Sequence, residues 1–173
     1  MHTLHWWAVK AEDKQEAFDI VQSRLINEDG THFVDWSDWH VVGGGRWSDS
    51  QYEDSSDMII SYADTPDKFK ETLEGCRKAR INEMQECMSK INTDKFISNM
   101  DDYISNNASL GDKRFDMNEY YIKIASNLMS EYYTSHSYFY DLIEYTASMD
   151  YIQQELDSED SKMLFLVPID FHF

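Results

Sequence analysis

The sequence predicts a single α+β domain over residues 1–173, with a small mixed or antiparallel sheet covered on one face by a helical middle and by carboxy-terminal helices. Three observations carry this. Apolar residues alternate at period two near both ends of the chain, which predicts terminal strands that pair with each other. Between them, apolar residues recur at helical spacing through most of 66–156. The opening strand, helix and extended segment give the sheet a ferredoxin-like βαβ start. No repeat, low-complexity tract or linker divides the chain, and 173 residues suit one domain.

Leu4, Trp6 and Ala8 alternate with His5, Trp7 and Val9, predicting the first strand. From Glu12, the helical spacing of Phe18, Val21 and Leu25, opposed by Glu16 and Asp19, predicts an amphipathic helix that Asp29-Gly30 ends. Thr31 to Val42 reads as extended, bulged at Ser37-Asp38 and stopped by Gly43-Gly44-Gly45. Met58–Tyr62 reads as a short strand. Thr65 and Pro66 supply an N-cap and a first-turn proline for a long helix whose stripe is Phe69, Leu73, Cys76, Met84, Cys87 and Ile91. Asn92-Thr93-Asp94 marks a stop and restart, a shorter helix runs through Phe96, Ile97, Met100 and Ile104, and 105–114 is a loop. Asp116 to Glu119 has capping-box spacing ahead of Tyr121, Ile124, Leu128 and Tyr132. Ser135-His136-Ser137 interrupts this helix, and Phe139, Leu142, Thr146, Met149, Ile152 and Leu156 resume its period. The last strand holds Pro168, which predicts a sheet edge or a bulge.

Charge narrows the function. Lys and Arg total 15 against 33 Asp and Glu, a net charge of −18. So acidic a chain repels nucleic acid, which excludes a direct nucleic-acid partner. Residues 1–60 hold 4 basic and 12 acidic groups, and 121–173 hold 2 and 9, so the acids belong to the folded surface and not to a tail. No apolar run approaches the ~18 residues of a spanning helix, so no membrane partner is expected. The opening residues lack a secretion signal, and Cys76 and Cys87 lie ~16 Å apart on one helix at ~1.5 Å per residue, too far for a disulfide. A reduced cytoplasm is the expected location.

Trp39, His40, Gly43, Gly44, Gly45, Arg46 and Trp47 form the most unusual stretch. Tryptophans around a glycine triplet and an arginine can build an aromatic-walled pocket where backbone N–H groups and Arg46 receive an anion or planar ligand. The plainer reading is a glycine turn under large side chains, because the triplet has neither dinucleotide-fingerprint nor P-loop spacing. The segment Trp39–Trp47 resembles a Trp-x-x-x-Gly-Gly-Arg-Trp signature of small uncharacterised acidic proteins of tailed bacteriophages. In those proteins too a strand precedes the signature, and a Val-Pro-Ile-Asp-Phe-His type of strand closes the chain. The likeness covers about a quarter of the sequence, departs by one extra glycine, and implies a phage origin but no activity.

No constellation predicts catalysis: there is no G-x-S-x-G, H-E-x-x-H or zinc-spaced cysteine set, and Cys76 and Cys87 read as core. No cofactor is expected. His2 and His5 fall on opposite strand faces, and His40 would join Asp170 and His172 only if the glycine turn lay against the last strand, so no metal site is assigned. Asp49, Glu53, Asp54 and Asp57 make an acidic loop without EF-hand spacing.

The acids remain. Carboxylates three or four positions apart on a helix lie ~5–6 Å apart, near the phosphate spacing of one nucleic-acid strand. Glu12, Glu16 and Asp19 meet that condition, as do Asp141 with Glu144 and Glu155 with Glu159 on the predicted 139–156 helix and its extension. Asp101, Asp102, Asp150, Asp157 and Asp160 add density near helix ends, and a tyrosine excess that runs from Tyr120 to Tyr151, with Tyr132, Tyr138 and Tyr145 in it, leaves some rings exposed beside Glu131, Asp141 and Glu144, as suits an interface. The expected function is therefore a non-catalytic acidic interaction protein that binds and inhibits a basic host protein, with nucleic-acid mimicry as its mechanism. The alternatives are a small-ligand or nucleotide-binding protein centred on 39–47, and a structural subunit of a virion or complex. A homodimer through the tyrosine face stays open, and solubility alone is the plain account of the charge.

Overall fold

The structure, a computed structural model, describes residues 1–26, 30–49, 55–104 and 116–173. Its elements are β1 (His2–Lys10), α1 (Lys14–Arg24), β2 (Trp39–Val42), β3 (Ile60–Ser61), α2 (Pro66–Lys90), α3 (Thr93–Ser98), α4 (Met100–Ile104), α5 (Met117–Met129), β4 (Phe139–Asp141), α6 (Asp150–Leu156) and β5 (Leu164–His172), with 3-10 turns at Gly45–Trp47 and Glu159–Met163. Glu53 and Asp54 of the acidic loop, Asp29, and the 105–114 loop lie wholly or mainly outside the described residues.

The fold is mixed α+β, and its two terminal strands pair as the period-two patterns require. β5 runs antiparallel to β1 from His2↔His172 to Lys10↔Leu164. Its other edge pairs antiparallel with β2 at 169–172 and with β3 at 165–166. β4 lies parallel to β1 on the far edge, giving the order β2-β5-β1-β4. β1 and β2 are thus parallel to each other with β5 between them, a split βαβ unit closed by α1.

Helices cover both faces of the sheet, where the sequence predicted one. On one face Trp7, Val9, Val167, Ile169 and Phe171 pack with Ala17, Val21 and Leu25 from α1 and its end. On the other, Ala8, Phe139, Leu164 and Leu166 pack with Phe69, Leu73 and Cys76 of α2 and Ile152 and Leu156 of α6. Alternate residues of β1 and β5 therefore serve two cores, which explains why the sequence of β5 is apolar at nearly every position. The distal half of α2 forms a third cluster, Cys87 against Ile124, Ala125 and Leu128 of α5. No helix among the described residues is long and apolar enough to cross a membrane.

Five local expectations need correction. Thr31–Val42 is extended only at β2; ahead of it, the Ser37 hydroxyl donates to the carbonyls of Trp39 and His172, and these bonds turn the chain. Thr65 makes no side-chain cap; its hydroxyl donates to the Ser61 carbonyl instead (3.1 Å). The helix expected through Phe96 to Ile104 is divided into α3 and α4 at Asn99. Pro168 sits inside the sheet, opposite Trp6, and not at an outer edge. Its carbonyl accepts from the Gly43 N–H at 2.7 Å. Its missing N–H faces the same side, at the gap between β3 and β2, so no ladder bond is lost.

The fifth correction matters most for function. Residues 139–156 are not one helix: Phe139–Asp141 is β4, a turn follows, and α6 begins only at Asp150. Tyr138 (φ 59°) and Tyr145 (φ 56°) adopt left-handed backbone, which a right-handed helix excludes. The open edge of β1 offers backbone hydrogen bonds to an aromatic segment that fits a strand, and that pairing overrides the helical spacing.

Candidate functional site

β2 carries the glycine triplet across β5 at Asp170. A Cβ on Gly43 would lie 1.8 Å from the Ser55 carbonyl oxygen, and one on Gly45 would lie 2.5 Å from Asp170 Cβ and Oδ2. Both positions have positive φ, so only glycine fits the crossing. The buried Asp170 carboxylate accepts the Arg46 N–H on Oδ2 at 3.0 Å and meets His2 Nδ1 on Oδ1 at 2.9 Å. The Trp47 and Ser48 N–H groups donate to the Gly44 and Gly45 carbonyls. The Gly43, Arg46, Trp47 and Ser48 N–H groups that the sequence offered to a bound anion are therefore engaged by the protein's own acceptors.

The side chains of this turn stay at the surface. Arg46 and Trp47 are exposed, with the guanidinium 5.7 Å from the indole centroid. Trp39 stacks on His172 (5.0 Å, 14°), and His172 Nδ1 lies 2.6 Å from Asp38 Oδ1. That contact holds the Asp38 carboxyl below its ordinary range. The glycine turn does lie against the last strand, but the register puts His40 opposite Phe171, on the other face from Asp170. His2 is the histidine that reaches it. Among the described residues no group of three or more His, Cys, Asp or Glu side chains is placed to hold a metal ion. Burial pushes the Cys76 thiol up to about 12 and raises the Cys87 thiol as well, which disfavours the nucleophilic thiolate.

The acids of the carboxy-terminal third divide into three groups. Asp141 is buried in β4 and is no part of the surface. Its Oδ1 accepts the N–H groups of Ile143 (2.8 Å) and Glu144 (3.3 Å), burial pushes its carboxyl above the usual range, and Oδ2 has no hydrogen-bond partner among the described residues. Glu155 pairs with Lys10 at 2.5 Å. Glu131, Glu144, Asp150, Asp157, Glu159 and Asp160 are exposed and make no ion pair among the described residues. By contrast, lysines and arginines neutralise Glu74 and Glu86 on α2, Glu119 on α5 and Asp116 at the α5 N-cap. Asp150 shares its depression with Lys70 and Arg77, so its field is partly cancelled. Because α6 ends at Leu156, Glu155 and Glu159 do not share a helix face, and the regular carboxylate ladder expected there is absent.

Unopposed negative charge and exposed aromatics meet in one place. Glu131, Tyr132, Glu144, Tyr145, Thr146 and Tyr151 line a groove of about 470 Å³. It adjoins a second depression of about 240 Å³ that shares Glu131, Tyr132 and Tyr145 and adds Asp35 and the aromatic floor of Phe33, Trp36, Tyr133 and Tyr140. Among the described residues no lysine or arginine lines either. Tyr132, Tyr145 and Tyr151 are 80%, 59% and 40% exposed. Tyr138 belongs elsewhere: it is half-buried and donates to Glu83 Oε2 on α2 at 3.1 Å.

The groove walls are fixed from behind. Asp141 and Thr146 exchange backbone bonds (2.7 and 3.1 Å), closing the turn that presents Glu144 and Tyr145. The Ala147 N–H donates to the Glu131 carbonyl at 2.8 Å, tying one wall to the other. Behind both, Arg80 of α2 donates to three backbone carbonyls: Nε to Leu128 (2.8 Å), Nη2 to Ser130 (2.6 Å) and Nη1 to Ala147 (2.6 Å). Under the floor, Trp7 Nε1–H donates to Tyr133 Oη (2.9 Å), Tyr133 O–H donates to His5 Nδ1 (2.6 Å), and His5 Nε2–H donates to the Ser135 carbonyl (3.2 Å). This assignment satisfies every group with His5 neutral, and burial lowers the imidazole to about 3.

Sequence reasoning singled out Glu131, Glu144 and Tyr145 of this groove and counted Tyr132 and Tyr151 only within the general tyrosine excess, but gave no role to Asp35 or Arg80. An arginine on a solvated helix face carries no local sign that it will clamp carbonyls 48 to 67 residues away. No family model, curated protein or solved structure matches this chain, so its function rests on the geometry above.

Proposed function

We propose that this chain is a non-catalytic acidic interaction protein, phage-encoded, that binds and inhibits a basic nucleic-acid-binding or defence protein of the host cell. The observation that carries the reading is the 131–151 groove, where carboxylates and exposed tyrosines converge with no lining lysine or arginine among the described residues. Aromatic anchors inside a ring of like charge suit a partner of opposite charge, and the net charge of −18 steers such a partner in from a distance. Asp157, Glu159 and Asp160 extend the field outside the groove and supply the part of it that competes with nucleic acid for a basic surface.

The test is the affinity for the host protein captured by this chain, measured across a salt series with and without competing DNA. Binding weakens steeply with salt, DNA competes, and Glu131→Lys with Glu144→Lys lowers affinity at least about tenfold, the equivalent of ~1.4 kcal/mol. Salt-independent binding, or tolerance of both reversals, refutes the proposal. A second reading, a planar anionic ligand at 39–47, is favoured by the exposed Arg46 and Trp47 pair. Loss of ligand binding in Arg46→Ala with the groove intact would support it.

A further inference from the structure

We infer that the 131–151 groove is a receptor for arginine side chains of its partner and discriminates them from lysine. The inference rests on the basic-partner reading and deepens it by naming the group that is bound. Charge alone attracts either cation, but three tyrosines as exposed as Tyr132, Tyr145 and Tyr151 offer ring faces that distinguish the two. A guanidinium is planar and weakly hydrated, stacks on an aromatic face and forks onto a carboxylate, whereas an ammonium is a compact ion that keeps its water. Glu131 and Glu144 stand in the same groove as those rings, and Asp35 in the depression beside it. Among the described residues no lysine or arginine of the protein lines the groove.

Preorganisation adds to the selectivity. The Asp141–Thr146 turn and the Glu131–Ala147 bond hold the two walls before any partner arrives. Tyr145 keeps a left-handed backbone at φ 56°, a conformation that glycine adopts more easily, while leaving its ring at the surface. A groove already in place spends little binding energy on ordering, so contact differences between Arg and Lys appear in the affinity.

The test uses the full chain titrated with an oligoarginine and an oligolysine peptide of equal length at ~0.15 M salt, where surface charge is screened beyond ~8 Å. Oligoarginine binds at least about 5-fold more tightly, because stacking and forked pairing favour a guanidinium over an ammonium that makes cation–π contacts of its own. Tyr132→Ala with Tyr145→Gly brings the two peptides to equal affinity while the circular dichroism spectrum and thermal midpoint stay native; glycine is chosen at 145 because the backbone there already suits it. Equal affinity in the unaltered protein, or a preference that survives the double variant, overturns the inference and leaves the basic-partner reading standing. Absence of binding by both peptides even at low salt overturns both. Concentration-dependent dimerisation abolished by the same double variant would assign the groove to a second copy of this chain and likewise overturn the inference.

Discussion

Replacing Arg80 with methionine removes the clamp behind the groove while keeping the length and apolar stem of the side chain. The three guanidinium donors disappear, and the carbonyls of Leu128, Ser130 and Ala147 are left without them. Hydrogen bonds to a charged group contribute ~1.5–3 kcal/mol each. Arg80 is only half-buried, so water replaces part of what is lost, and the expected cost is about 3–5 kcal/mol rather than the full sum. For a chain of this size that lowers the thermal midpoint by roughly 6–20 °C, at ~2–4 °C per kcal/mol. Arg80→Lys retains the charge but reaches fewer carbonyls and falls between the two. Urea denaturation gives the stability change, and amide exchange reads the local effect: protection at Ala147 falls, because its N–H donates to the Glu131 carbonyl across the two walls. The reasoning fails if Arg80→Met shifts stability by less than about 0.5 kcal/mol, the range of an ordinary surface change, or if exchange at Ala147 is unaltered.

Two further perturbations test the interior. His5 is neutral in the fold at about 3 and titrates near 6.5 when unfolded, so the unfolded chain binds the extra proton. Stability from this group is therefore complete above ~6.5 and falls with pH toward ~3, by about 3 kcal/mol at pH 4.5; His5→Gln flattens that segment of the stability–pH curve, and an unchanged slope would contradict the buried neutral network. Gly43→Ala places a methyl 1.8 Å from the Ser55 carbonyl at φ 97° and costs about 2–4 kcal/mol, whereas Gly30→Ala at φ 82° meets nothing within 4 Å and costs ~1–2 kcal/mol. Equal losses in a thermal melt would show that the close crossing at Ser55 is not what fixes the turn.

The amino-acid order by itself determined the terminal strands, α1, α2 and the core positions of Phe69, Leu73, Cys76 and Cys87, because a period of two or of 3.6 states which face of a segment is apolar. It also identified the glycine turn, though not its crossing of the last strand, and part of the acidic, tyrosine-rich face, since carboxylates belong outside a core. Tertiary structure decided the rest. Residues 139–149 satisfy a helical period, yet the unpaired edge of β1 takes 139–141 as a strand, and that choice buries Asp141 and turns Tyr145 outward. Asp170 looks like one more surface acid until Gly45 folds over it and the Arg46 N–H donates to its carboxylate. Arg80 reads as solvated until α5 and the 147 segment bring their free carbonyls to it. In each case the deciding partner is a backbone group distant in sequence, and local patterning carries no record of where the fold will deliver it.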